Sequence, residues 1–186
     1  MVPLTARNAF RQSRSWLADR EWLARFAPLP LRLIVGYGFI VHGYAKLSRG
    51  PDTFAVVLHT LGVPFPQLLA WATTIVELAG GVAMLTGAFV SLVSLPLAVV
   101  LLTALFTVHL PYGFFSVKLV EVTAHGTRFG PVGYEVILLY LASVAALAVG
   151  GAGPLSIDAW RATRGAWAAA TPAGARNGAL KISQRT

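Results

Sequence analysis

The chain has 186 residues, of which 56% are hydrophobic and 12% charged, against about 45–50% and about 25% in soluble domains. Its mean hydropathy of +0.67 means more apolar surface than a soluble domain of this size can hide. Between positions 29 and 158 five basic and five acidic residues cancel, so the formal net charge of +8 sits wholly in the two tails; it marks the basic ends of a membrane protein, not a nucleic-acid surface.

From the N-terminus, residues 1–28 form a basic amphipathic segment. Positions 10–27 hold Arg11, Arg14, Asp19, Arg20, Glu21 and Arg25 and lack the continuous apolar stretch of a secretory signal. Trp16, Leu23, Phe26 and Ala27 recur at helical spacing beside Trp22, which predicts a helix lying on the membrane surface.

Residues 29–158 form the membrane domain. Four apolar stretches, at about 31–47, 65–86, 92–112 and 132–149, are each long enough to cross a hydrocarbon core of roughly 30 Å. Backbone groups in lipid must be satisfied within the segment, so these read as helices; the short alternating segments of a barrel are absent. The expected fold class is therefore all-α, a four-helix transmembrane bundle with flanking interfacial helices. His59 and His125 read as loop residues. Gly150, Gly151, Gly153 and Pro154 break the chain after the last span. Residues 159–186 form a basic C-terminal tail. Trp160 and Trp167 mark a short helix ending before Pro172, and positions 171–186 read as disordered. Ten of the fifteen Lys and Arg residues lie in the tails, which places both termini on the cytoplasmic side of an inner membrane.

An ionisable side chain inside a span costs about 2.5–3.5 kcal/mol at mid-helix and by default marks function. Glu77 is the strongest case, near the middle of the second span with no charge nearby in sequence. Either it is protonated or it meets a cation: Lys46, Arg32 or protonated His42. A structural ion pair is the plainer reading, and Arg32 and Lys46 can each instead snorkel to a headgroup. Arg32, Gly36, Gly43 and Lys46 share roughly one face of the first span. Gly36 and Gly43 there, and Gly80 and Gly81 beyond Glu77, admit close neighbours. By helical rise Lys46, His109 and Glu135 lie about 8–13 Å outside the bilayer centre, with His42 deeper and Glu77 deeper still. Four helices thus contribute to one polar pocket opening outward, with Tyr134 beside Glu135.

Other chemistries find less support. The chain has no cysteine, which removes thiol, disulfide and Cys-ligated iron–sulfur chemistry. His42 and His109 differ in depth by about 8 Å, which argues against a bis-His haem. A His/His/Glu metal site is geometrically easier, yet no metal-binding spacing supports it, and no metal is expected. Phosphate-binding loops, dinucleotide fingerprints and nucleophile elbows are absent.

Arg32-x3-Gly36 followed by His42-Gly43-x2-Lys46 resembles the first-span motif of the DoxX family. Gly62-x-Pro64, Glu77-x2-Gly80-Gly81 with Gly87, Gly133-Tyr134-Glu135, and Gly151-x-Gly153-Pro154-Leu155-Ser156-Ile157-Asp158 extend the resemblance over about 29–160. It implies a four-helix bundle in a bacterial or archaeal cytoplasmic membrane. Related DoxD-type chains are linked to thiosulfate:quinone oxidoreduction, and other relatives to quinone or catechol resistance and oxidative-stress complexes.

Three readings follow. In the first, the chain is an oxidoreductase or its quinone-reactive subunit: Glu77 carries protons, His42 donates to a quinone carbonyl, and Lys46 is a charge partner. Arg32, His109, Tyr134 and Glu135 complete the ligand site. Quinone is the candidate cofactor, and any flavin or metal comes from a redox partner subunit. In the second, a non-catalytic anchor or assembly subunit recruits a cytosolic partner. The third is a carrier of small molecules or lipids. The glycine faces would serve a homo-oligomer equally well.

Overall fold

The computed structural model describes residues 20–170. The expectations for Trp16, for the side chain of Trp167 and for 171–186 lie outside the described residues. A helical turn over 20–24 leads through a turn at 25–27 into α1 (Pro28–Arg49). A short helix α2 (Pro51–Thr60) precedes α3 (Pro66–Thr86), and a tight turn joins α3 to α4 (Val90–Ala104). The last helix continues as a π-helical turn (Leu105–His109) and a 3-10 turn (Leu110–Tyr112). An antiparallel hairpin, β1 (Leu119–Thr123) with β2 (Gly126–Phe129), comes before α5 (Glu135–Gly150) and α6 (Ile157–Ala170).

Among the described residues three helical runs, Arg20–Arg49, Pro66–Thr86 and Val90–Tyr112, are long and apolar enough to cross a membrane; α5 is a shorter apolar helix of 16 residues. It starts at Glu135 rather than 132 because the preceding chain is hydrogen-bonded to the segment before the hairpin. Gly133, Tyr134 and Glu135 donate their backbone N–H groups to the carbonyls of Phe115, Gly113 and Phe114, each at 3.0 Å.

Two connections expected to be loops carry structure. His59 lies in α2, whose start is signalled by Pro51 in the first turn and Asp52 beside it. The chain is mostly helical, consistent with an all-α membrane protein, and one short hairpin with His125 in its turn interrupts the connection before α5. Val120, Val122, Thr123 and Thr127 favour extended backbone, and Glu121 faces Arg128 across the strands. Both strands are solvent-exposed.

The four long helices run antiparallel to their neighbours. Helix α1 lies against α3 at Gly36 and Gly81, where a Cβ on either glycine would come within 2.8 Å of the other's carbonyl oxygen. Only bare backbone allows that approach, as is common between helices in lipid. Ser91 ties α4 to α5 by donating to the Ala148 carbonyl at 2.9 Å. Phe39 of α1 meets Tyr140 of α5 edge to face, with ring centroids 6.0 Å apart. Val35, Met84, Leu97, Val144 and Leu147 fill the buried centre. Leu33, Tyr37, Ile75, Leu95 and Leu139 point outward, an apolar exterior suited to hydrocarbon.

The end of the bundle formed by the start of α1, the α3–α4 turn and the segment after α5 is tied together. Arg32 is only 2% exposed; it donates to the carbonyls of Ala152 at 3.0 Å and Leu155 at 2.9 Å. The Asp158 carboxylate accepts from the backbone N–H groups of Phe89 at 2.8 Å and Val90 at 3.0 Å, capping α4 from a distant part of the chain. Its own N–H donates to the Gly87 carbonyl at 3.0 Å. Arg32 therefore neither snorkels to a headgroup nor meets Glu77.

Candidate functional site: an apolar cavity with a buried ion pair

Toward the hairpin end, the helices enclose a cavity of about 810 Å³. Its wall is mostly apolar. The polar groups on it come from separate elements: His42 and Lys46 from α1, Thr73 and Glu77 from α3, Thr103 from α4, Thr107 and His109 from the π-helical turn, and Tyr140 from α5. Leu69, Leu95 and Val99 line it and are also exposed on the outer surface, so the cavity reaches the apolar exterior beside α3 and α4.

The ammonium of Lys46 donates to the Glu77 carboxylate. The pair joins α1 to α3 where Gly43 packs against Glu77 and Leu78. Glu77 is 4% exposed. A carboxylate that deep is costly without a partner, and Lys46 supplies one. Lys46 also sits 5.0 Å from the ring centroid of Phe54, a cation–π contact that places α2 against the ion pair. Phe54 and Leu58 of α2 close the cavity on that side, held by the packing of Ala55 and Leu58 on Ala70. Gln67 donates to Asp52 across the α2–α3 connection.

His109 is positioned by the break in α4. Pro96 lies inside this helix and removes one backbone donor, and one turn of π-helix follows at Leu105–His109. Such turns shift the side chains beyond them relative to a regular helix and are frequent at functional sites. The ring Nδ1 of His109 is 2.9 Å from the Val132 carbonyl.

Of the residues singled out in the sequence, His42, Lys46, Glu77 and His109 thus share one cavity. Arg32 is at the opposite end, held by backbone carbonyls, and does not line the cavity. Tyr134 and Glu135 do not line the cavity either. Tyr134 packs edge to face on Phe114, with centroids 5.7 Å apart. Glu135 accepts from the Ser116 N–H at 3.1 Å, pinning the segment before the hairpin. Equal estimated depth put Glu135 with Lys46 and His109, but depth says nothing about which way a side chain turns around its helix. Tyr140, Thr73 and Phe54 were not singled out. The first two carry hydroxyls within apolar spans, and Phe54 follows the Gly50-Pro51-Asp52 helix start.

Among the described residues, no group of three or more His, Asp or Glu side chains is placed to hold a metal ion. The arrangement suits an organic molecule with an apolar body and a small polar head. The body would lie against Leu and Val side chains, and the head would meet the ion pair and the two imidazoles.

No curated protein and no solved structure matches the chain. The sequence model of the DoxX family matches residues 27–110, a stretch that spans α1 to the π-helical turn and includes His42, Lys46, Glu77 and His109. The chain is a membrane protein that carries a DoxX-family domain over these residues.

Proposed function

We propose that the chain is a quinone-reactive membrane subunit of a redox complex, binding a lipophilic quinone in the cavity. The observation that carries this reading is the apolar cavity open to the lipid-facing exterior with the Lys46–Glu77 pair on its wall. A membrane-dissolved ligand enters sideways, and its polar head reaches groups that donate and accept protons. Glu77 serves as the proton carrier, Lys46 holds its charge, and His42 donates to a ligand carbonyl. Electrons pass to or from a partner subunit, because the chain's own side chains offer no thiol. In this reading α5 completes a four-span bundle in the inner membrane with both basic termini in the cytoplasm.

A second reading, a non-catalytic anchor, draws on the same ion pair, since Lys46 and Glu77 join α1 to α3 beside the Gly43 contact. Extraction of small molecules from gently purified protein, with mass spectrometry on wild type and Glu77→Gln, separates the two. A quinone present in wild type and lost from the variant supports the redox reading. An empty wild-type protein whose variant is merely less stable supports the anchor.

A further inference from the structure

The backbone partner of His109 settles more than its orientation. The Val132 carbonyl can only accept a hydrogen bond, so the Nδ1 that lies 2.9 Å from it must be the donor. In the neutral imidazole the single ring proton is therefore on Nδ1, and Nε2 carries a lone pair. Nδ1 is occupied by the main chain, and His109 lines the cavity. The polar atom that this ring has left to offer a ligand is Nε2, as an acceptor. The same division of labour fixes the tautomer of metal-binding and catalytic histidines.

Other groups on the wall can accept as well, His42 and Tyr140 among them, but the Val132 contact fixes Nε2 of His109 in that role. Glu77 is the wall's carboxylate, and it is engaged by Lys46. Lys46 has donors only. The hydroxyls of Thr103, Thr107 and Thr73 donate to backbone carbonyls one turn earlier, at 2.9, 2.7 and 2.6 Å; their protons are committed, and each keeps an oxygen that accepts more weakly than an imidazole nitrogen.

We infer that His109, through Nε2, is the residue that accepts a hydrogen bond from a ligand hydroxyl, so that the cavity prefers the hydroxylated (reduced) form of its ligand over a form with that oxygen capped. This rests on the proposed ligand-binding role of the cavity and adds a specificity-determining residue to it. When the ligand gives up its proton, the O–H bond breaks and an Nε2–H bond forms. The resulting imidazolium keeps its Nδ1–H bond to Val132.

His109→Asn tests this, because the Asn amide N–H reaches the position of Nδ1 and preserves the bond to Val132 while deleting Nε2. The probes are a short-chain benzoquinol and its dimethyl ether, titrated into the full chain in lipid nanodiscs. Wild type is expected to bind the quinol at least tenfold more tightly than the ether, and His109→Asn to bind both alike with unchanged thermal stability. Nitrogen NMR of labelled wild-type protein is expected to show His109 protonated on Nδ1. Equal binding of quinol and ether by wild type, or an unaltered preference in His109→Asn, overturns the role of His109 while leaving the cavity as a ligand site. Proton density on Nε2 in the neutral ring overturns it without reference to any ligand. Failure of wild type to bind either probe overturns the proposed function itself, and this inference with it.

Discussion

The guanidinium of Arg32 occupies the space that a side chain on Gly87 would fill. One residue is in the first turns of α1 and the other ends α3, so the start of one helix is keyed into the end of another. Gly87 has φ +69°, a left-handed conformation that costs an ordinary residue energy even without a neighbour. Gly87→Ala meets both penalties at once. Its expected cost is about 2–4 kcal/mol, read as a lowered unfolding midpoint in detergent. A midpoint equal to that of wild type would show that the Arg32 end is looser than its hydrogen bonds imply.

Asp158 links the segment after α5 to the first turn of α4 by accepting two backbone N–H bonds. Asp158→Ala leaves both donors unpaired and is expected to destabilise by about 1–2 kcal/mol. Asp158→Asn keeps one acceptor oxygen and falls between. Hydrogen exchange checks the mechanism: the amides of Phe89 and Val90 exchange faster in both variants, and those of α3 do not.

Removing one partner of a buried ion pair typically costs about 3–5 kcal/mol, whereas replacing both by apolar side chains is often neutral. Lys46 retains 19% side-chain exposure, which moves Glu77→Gln and Lys46→Met toward the lower end. The double variant Lys46→Met with Glu77→Leu is expected to recover most of the loss in unfolding assays and to carry no bound quinone. Recovery of both stability and ligand would assign the pair a purely structural role.

Ala72 lines the cavity from α3. Ala72→Phe fills space that is already empty, so its unfolding midpoint is expected to match or exceed that of wild type, while co-purified ligand is lost. A marked fall in midpoint would mean that the space closes in the membrane.

The long helices were legible because lipid imposes one demand, apolar length, and composition answers it directly. Glu77 and Lys46 were legible for the converse reason, since neither is tolerated in a span without cause. Rotation about the helix axis was not legible. Glu135 has the depth of the cavity but turns toward Ser116, and Arg32 shares a helical face with Lys46 yet lies several turns away at a different set of partners. The hairpin was missed because its strands bury nothing, so no alternation of apolar and polar residues had to be maintained. Helix α2 was missed because ten residues are too few to give a clear apolar period, although Pro51 and Asp52 mark its start.

The tied end also governs the geometry of the far one. Measured from the Gly87 turn, Thr73 lies about 20 Å along α3. A tilt of about 3° at the turn therefore carries the Thr73 wall sideways by about 1 Å over that length of helix. Two helices fastened at one end behave as a lever, in which a minor adjustment at the pivot is magnified at the tip. The width of the cavity beside Glu77 is thus set in part by Arg32 and Asp158, which do not line it. Substitutions there would change the width of the cavity before they unfold the protein.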